Sequence, residues 1–347
     1  MHISPLTIKM IKRFYSIKRG YYSCLVLLLA VLASLGAELL VNNRALLVKY
    51  NGNYYLPTYG DIIPGKAFGL QYDYETDYRD LDRRFRKEGG DNWVLLPPVP
   101  YNPFENDLRP DAIPPEPPSL ERRHFMGTDT SGRDVLARLV YGFRIAILFS
   151  LTLLVSTYVV GISIGCAMGY FGGTFDILLQ RIIEIWSTVP FLYVVIIISS
   201  IVIPNFWWLI AIMVFFHWMG MTWTMRTVTY KEKARDYVLA AKALGASDLR
   251  IIFRHIIPNT VSVIVSYIPF SISGGIVALT SLDYLGFGLP PPTPSWGELL
   301  QQAWANFSAW WLGASVILAM VITLVAVTFI GEAIREAFDP KLHTVYE

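Results

Sequence analysis

The ionisable and nucleophilic side chains of this 347-residue sequence form no recognisable catalytic pattern. No G-x-x-x-x-G-K-[ST] loop is present to cradle a phosphate, and no H-E-x-x-H motif is present to hold zinc. The five histidines lack metal-site spacing, and serine, cysteine and aspartate offer no nucleophile arrangement. The sequence therefore predicts a protein that is not an enzyme, with no cofactor or metal of its own and no nucleic-acid partner.

A few charged residues remain candidates for a functional role. Glu184 lies one turn from Arg181, which fits either an i,i+3 ion pair or a transport role, since ionisable residues within membranes are commonly functional. Asp283 and Glu298 flank a loop rich in Gly and Pro, where turns, caps or contacts with a partner are all open readings. We keep Asp283 as a candidate passage or gating residue.

Residues 237–259, YVLAAKALGASDLRIIFRHIIPN, are unusual because very apolar sequence lies on both sides of them. Helical spacing places Val238, Ala241 and Gly245 along one narrow face. The residues adjoining that face are Tyr237, Ala240 and Leu244. We expect this face to lie in a groove of another protein, although a solvated basic loop that only fixes topology is the alternative.

The ends of this helix can also be predicted. Gly245 suits a left-handed cap, and Asp248 is placed to begin the next helix. Pro258 is expected to stop the pattern where a membrane span begins.

Long apolar runs predict an all-α membrane protein with about six transmembrane helices. A helix needs about 20 apolar residues to cross a bilayer, and unpaired backbone amides are costly in lipid. The predicted spans are residues 21–41, 145–170, 178–203, 206–224, 260–282 and 311–331. Pro190 and Pro269 are expected to kink their helices and help line a passage.

The distribution of Lys and Arg predicts the orientation. Basic residues precede the first span, and residues 225–259 carry seven basic side chains against three acidic ones. Both termini, 1–20 and 336–347, are therefore expected in the cytoplasm, with residues 42–143 outside. The remaining core, residues 144–335, would hold five helices and the cytoplasmic loop 225–259. A cleaved signal peptide is the alternative for the first span.

The predicted external segment divides by composition. An aromatic and acidic part comes first, and nine of the twenty-two residues from Pro97 to Pro118 are proline, which predicts an extended strap. After the helix-start residues around Asp129, helical spacing of apolar side chains predicts a short interfacial helix before the second span. The apolar positions are Val135, Leu136, Leu139 and Val140.

Residues 237–259 resemble the EAA loop of ABC importer permeases, with Ala240, Ala241, Gly245 and Pro258 in register. The sequence departs from that pattern at Leu239, where the family has Glu, and at His255. The stretches GTDTSGRDVLARLVYGFRIAI, MGYFGGTFDILLQRIIEIWSTVP and LDYLGFGLPPPTPSWGELL are similar to the second permease of oligopeptide and dipeptide importers, the OppC/DppC-like group. Within it, NFWWLIAIMVF and FIGEAIREAFDP look most like Yej-type permeases, which are associated with uptake of peptides and of microcin C.

This resemblance implies a permease subunit in the bacterial inner membrane that moves peptides by alternating access. Its implied partners are a second homologous permease, ABC ATPase subunits that bind ATP and magnesium, and a periplasmic solute-binding protein. Residues from about Ala234 to Asp248 would form the coupling helix. The implied ATPase-coupling residues are Asp236, Tyr237, Ala240, Ala241, Leu244, Gly245, Ala246 and Pro258.

Two other classes of function would leave different features in the sequence. A secondary transporter or channel without an ATPase partner should show internally repeated broken helices and charged groups at mid-membrane, and the sequence shows neither. A structural or assembly factor of an envelope complex would instead use residues 42–143 as its working surface.

Overall fold

The computed structural model describes residues 5–108, 110 and 112–338. In chain order the elements are α1 (Pro5–Ser16), α2 (Lys18–Leu35), α3 (Ala37–Leu40), β1 (Leu47–Tyr50), β2 (Asn53–Tyr55), α4 (Tyr78–Glu88), β3 (Trp93–Leu95), α5 (Val135–Phe171), α6 (Gly173–Ser187), α7 (Phe191–Ile201), α8 (Phe206–Lys233), α9 (Asp236–Ala243), α10 (Asp248–Ile251), α11 (Ile257–Tyr284), α12 (Trp296–Ala305) and α13 (Trp310–Phe338). The tail 339–347 lies outside the described residues.

Five helical stretches of the described chain are long and apolar enough to cross a membrane: α2, α5, α8, the course 248–284 and α13. Helices α6 and α7 pass the same test together, with a bend of 67° between them, and would make a sixth span. The bend lies at Pro190, which precedes α7 and lacks the N–H that would continue α6. The predicted helical membrane fold with about six spans is confirmed.

Helices α5 and α8 pack closely along three glycines of α5. A Cβ atom on Gly165 would lie 2.5 Å from the Thr222 carbonyl oxygen, and one on Gly169 would lie 2.5 Å from that of Arg226. Gly161 meets α8 one turn further along, at Trp218. The spacing of four residues therefore lets the two backbones approach, as small residues do in membrane helix pairs.

The first membrane helix is anchored to the rest of the bundle at both ends. At one end, Arg19 pairs with Glu332 of α13 at 3.3 Å. At the other, the Arg144 Nε donates to the Ser34 carbonyl at 2.6 Å, and its Nη1 pairs with Glu38 at 2.8 Å. Helix α2 ends at Leu35, six residues before the predicted boundary, and α3 completes the stretch.

Residues 45–96 form a small α/β unit that the sequence patterns did not predict. Its antiparallel sheet has the order β2-β1-β3, with Val48 opposite both Tyr55 and Val94. Helix α4 covers the sheet through Leu81 and Phe85, which are buried with the strand residues in one apolar cluster. Strands of three or four residues are too short to show a clear period of two.

The predicted interfacial helix before the second span is wrong as a separate element. Helix α5 starts at Val135 and continues without interruption to Phe171. Asp134 caps it by accepting a hydrogen bond from the Ala137 N–H at 2.7 Å. No proline interrupts this stretch, so nothing in the backbone forces a break where the membrane was expected to begin.

Candidate coupling site

Helix α9 is the candidate coupling helix, and its C-terminal end matches the prediction. Gly245 has φ +80°, the left-handed conformation that glycine adopts without strain. The Ala246 N–H donates to the Ala241 carbonyl at 3.1 Å, and the Gly245 N–H donates to the Lys242 carbonyl at 3.0 Å. These two bonds form a Schellman motif, and Asp248 is the first residue of α10, as predicted.

The prediction of which face of α9 docks against another protein is wrong in part. Val238 and Ala241 are only 2% and 8% exposed, because they pack inward with Tyr170, Ile251 and Ile256. Pattern alone could not show this, since it does not reveal which neighbour covers an apolar face. The inward face belongs to the bundle.

The outward face of α9 presents different residues. Asp236, Ala240 and Gly245 are exposed, and Leu239 stands where the family pattern has Glu. Leu244 is 89% exposed at the end of the helix. Leu239 is also 53% exposed, and large apolar side chains exposed close together are a mark of a protein contact, which a single one is not.

Two tyrosine hydroxyls join the α9 region to the membrane helices. The Tyr237 hydroxyl donates to Glu232 of α8 at 2.7 Å. Burial, together with this hydrogen bond to the Glu232 carboxylate, raises the pKa of Tyr237 to about 12, so the hydroxyl keeps its proton. At the other end, the Tyr170 hydroxyl of α5 donates to Asp248 at 2.6 Å. The bonds therefore lie on both sides of α9.

Pro258 does not end the helical course, contrary to expectation. It is exposed near the start of α11, and the helical backbone runs from Asp248 to Tyr284. A π-helical turn at Ile252–Ile256 immediately precedes it. Such a turn changes the hydrogen-bond register, which accommodates the missing N–H of proline without a break.

The structure places the predicted passage residues at three separate points. Pro190 stands at the bend between α6 and α7. Pro269 is buried inside α11 and faces α13, where a Cβ on Gly331 would lie 3.0 Å from it. Asp283 accepts a hydrogen bond from the Leu289 N–H at 2.7 Å and another from the Ser295 hydroxyl, so it holds the turn between α11 and α12.

Glu184 forms the ion pair that its spacing allowed. Its Oε2 lies 2.6 Å from Arg181 Nη1, and both side chains are exposed.

A buried ionic cluster at the start of α5 was missed by the sequence analysis. Arg138 is fully buried and pairs with Glu298 of α12, while Arg133 bridges Asp129 at 2.7 Å and Glu298 at 2.8 Å. Arg138 also donates to the Pro103 carbonyl at 3.2 Å, in the proline-rich tract. The only sequence signal was a pair of arginines in GTDTSGRDVLARLVYG, whose partner lies 160 residues away.

A buried histidine, His124, lies beside this cluster. Its Nδ1 is 2.7 Å from Asp134 and its Nε2 is 3.1 Å from Asp107, while Tyr101 stacks on the ring. Burial opposes the charged ring, but the hydrogen bonds to the two aspartates outweigh it and raise the pKa of His124 above its ordinary value. The ring therefore ties the proline-rich tract to the N-cap of α5.

Comparison with known proteins shows which family has this architecture. Residues 161–344, which include α8, α9 and α11, match the family model described as "Binding-protein-dependent transport system inner membrane component". The chain belongs to this family. It is an ABC transporter permease of the Yej type, in the inner membrane.

Two similar permeases match almost end to end. The inner membrane ABC transporter permease protein YejE of Escherichia coli strain K12 is 42% identical over 342 residues, covering 98% of both chains. The peptidoglycan transport system permease protein YejE of Agrobacterium fabrum is 38% identical, covering 97% of this chain and 94% of the relative. The oligopeptide transport system permease protein OppC of Lactococcus lactis strain IL1403 is 37% identical over 65% of this chain.

Proposed function

We propose that this permease is the transmembrane subunit of an ATP-driven importer of peptides, coupled through α9 to a separate ATPase subunit. The observation that carries the proposal is the outward face of α9, where Leu244 is 89% exposed on a helix whose other face is buried in the bundle. Such a helix can transmit force, because one side is fixed to α5 and α8 and the other is free to enter a cleft.

Each step of the proposed cycle requires a difference in contacts between two states. ATP binding would bring two ATPase subunits together, and α9 would move with the ATPase that holds Leu244. Its inward residues Val238 and Ala241 would pass that movement to α5 and α8, and the passage would open outward. ATP and magnesium would be bound by the partner subunits.

The remaining partners follow from the family and its description. A second, homologous permease would complete the passage, and a periplasmic solute-binding protein would deliver the substrate. Both termini would lie in the cytoplasm, and residues 42–143 would face the periplasm, where the α/β unit is positioned to meet the binding protein. An exposed aromatic rim supports this role, with Tyr54, Tyr59 and Tyr74 all more than 60% exposed.

The substrate class is peptides. One relative is named for oligopeptides and another for peptidoglycan, whose fragments carry short peptides. Microcin C-like peptides belong to the same chemical class and are a specific candidate from the Yej-type resemblance.

Uptake into proteoliposomes tests the proposal. The native chain is reconstituted with its second permease and ATPase subunits, with the binding protein outside and ATP inside, and labelled tripeptide uptake is measured. We expect uptake only when ATPase subunits and hydrolysable ATP are both present. Uptake by the two permeases alone would make this a secondary transporter or channel and would overturn the proposal.

A further inference from the structure

A cavity of about 430 Å³ lies between α5, α8 and α11, near the middle of each helix. Its volume is within the range of about 300–1,000 Å³ that small-ligand sites occupy. Most of its lining is apolar, and none of its lining residues carries a fixed charge. The polar side chains that line it are Thr157, Tyr158, His217, Thr224, Tyr267 and Ser271.

His217 presents a hydrogen-bond acceptor to this cavity. Its Nδ1 is 2.8 Å from the Met213 carbonyl oxygen. Because a carbonyl oxygen can only accept, this contact favours the Nδ1–H tautomer, in which Nε2 is an acceptor. The ring is held edge-on to Phe191 at 5.3 Å, which fixes its orientation.

The threonines of the cavity offer acceptors for the same reason. The Thr224 hydroxyl donates to the Gly220 carbonyl at 3.2 Å, and the Thr157 hydroxyl donates to the Leu153 carbonyl at 2.7 Å. Each hydroxyl proton is thus used within its own helix, and the oxygen retains lone pairs that can accept. Tyr158 and Ser271 bond to each other at 2.8 Å. The polar lining is therefore rich in uncharged acceptors.

We propose that this cavity holds the backbone of a peptide in transit, with His217 and Thr224 accepting hydrogen bonds from peptide N–H groups. The inference rests on the proposed function and adds the recognition chemistry of the passage. Uncharged acceptors bind the N–H groups that all peptides share, whereas a fixed charge would favour one class of side chain. Within the membrane, lipid chains could not donate hydrogen bonds to these acceptor atoms. The cavity therefore favours a ligand that carries N–H groups.

The test is uptake of three tripeptides with a basic, an acidic or a neutral central residue, by the complete complex in proteoliposomes. The variants are His217→Phe and Thr224→Val, and the control is Thr152→Val, since Thr152 also donates within its own helix but lies outside the cavity. We expect each cavity variant to slow all three peptides by a similar factor of about five to ten, the effect of one hydrogen bond. We expect Thr152→Val to match the native chain.

Three results would overturn the inference. The first is unchanged uptake by both cavity variants, and the second is a slowing confined to peptides of one charge. The third is that the second permease no longer co-purifies with either variant. That result would mean that the cavity residues form a contact between subunits. In each case, ATP-driven uptake by the native chain still supports the proposed function, so the two ideas fail separately.

Discussion

At the scale of single residues, the hydroxyl of Tyr170 links the coupling region directly to a membrane helix. It donates to Asp248, and Lys233 lies over its ring at 5.5 Å. A hydrogen bond to a carboxylate contributes about 1.5–3 kcal/mol where it is shielded from water. This bond is partly exposed, so we expect a contribution below that range, at about 1 kcal/mol.

Tyr170→Phe should therefore loosen α10 from α5 without changing the packing of the ring. We expect assembly to be retained and the peptide transported per ATP hydrolysed to fall several-fold, because ATPase movement would be transmitted less completely. Uptake and hydrolysis measured in the same proteoliposomes give this ratio. Tyr230→Phe is the matched control, because Tyr230 is 71% exposed. An unchanged ratio in Tyr170→Phe would show that this bond does not transmit movement.

His124 makes stability depend on pH. Its raised pKa means that the folded state holds the proton more tightly than the unfolded state. The stabilisation is fully present below the ordinary pKa of 6.5 and is lost as pH rises through the raised value. The groups that face the ring are Asp107, Asp134 and Tyr101.

His124→Gln should lower the melting temperature in detergent by about 2–4 °C or more near pH 6. The difference from the native chain should shrink as pH rises towards 9, because the native ring then loses its charge. A difference that stays constant between pH 6 and 9 would mean that His124 stabilises the fold only as a neutral side chain.

Some residue-level features could not have been predicted from the sequence. The pairing of Arg138 with Glu298 depends on how α5 and α12 meet, and no local pattern reports a contact between positions so far apart. Gly245 was predictable because a left-handed cap is a local requirement of one residue.

At the scale of elements, helices α5 and α8 show how small residues allow two membrane helices to pack closely. A Cβ on Gly165 would lie 2.5 Å from a backbone oxygen, closer than real Cβ contacts allow, so the helices would have to separate. We expect Gly165→Ala to destabilise the folded bundle by about 1–3 kcal/mol, as overpacking does. Thermal unfolding of the purified permease measures this.

Gly220→Ala is the matched control on α8, where a Cβ would meet nothing within 4 Å. Alanine there should be neutral or should stabilise the helix by about 0.5–1 kcal/mol, because it reduces backbone freedom in the unfolded chain. Equal destabilisation by both variants would contradict the close-packing account of the glycine spacing.

The elements show where sequence patterns suffice and where they fail. Apolar runs predicted the membrane helices because a bilayer imposes a length that a sequence must satisfy. The strands of residues 47–55 were missed because they are too short for a period to appear. The effect of Pro258 was predicted wrongly because a π-helical turn before it accommodates its missing N–H. The formation of that turn depends on the neighbouring backbone.

At the scale of the whole molecule, one apolar cluster connects α9 with the membrane helices that line the cavity. Val238 and Ala241 share an apolar cluster with Tyr158 and Met221, which also line the cavity between α5, α8 and α11. Movement at α9 can therefore reach the cavity through side chains in direct contact. In the proposed mechanism, this connection would couple ATP hydrolysis to transport.

The most direct test of the account is binding-protein-stimulated ATP hydrolysis by the assembled complex carrying Leu244→Asp. Leu120→Asp is the matched control, since Leu120 is 83% exposed just after the proline-rich tract and Leu244 is 89% exposed at the C-terminal end of α9. We predict that Leu244→Asp abolishes stimulation, because a charge would enter an apolar cleft of the ATPase, while Leu120→Asp leaves it unchanged. Full stimulation in a correctly assembled Leu244→Asp complex would contradict the claim that α9 couples this permease to its ATPase.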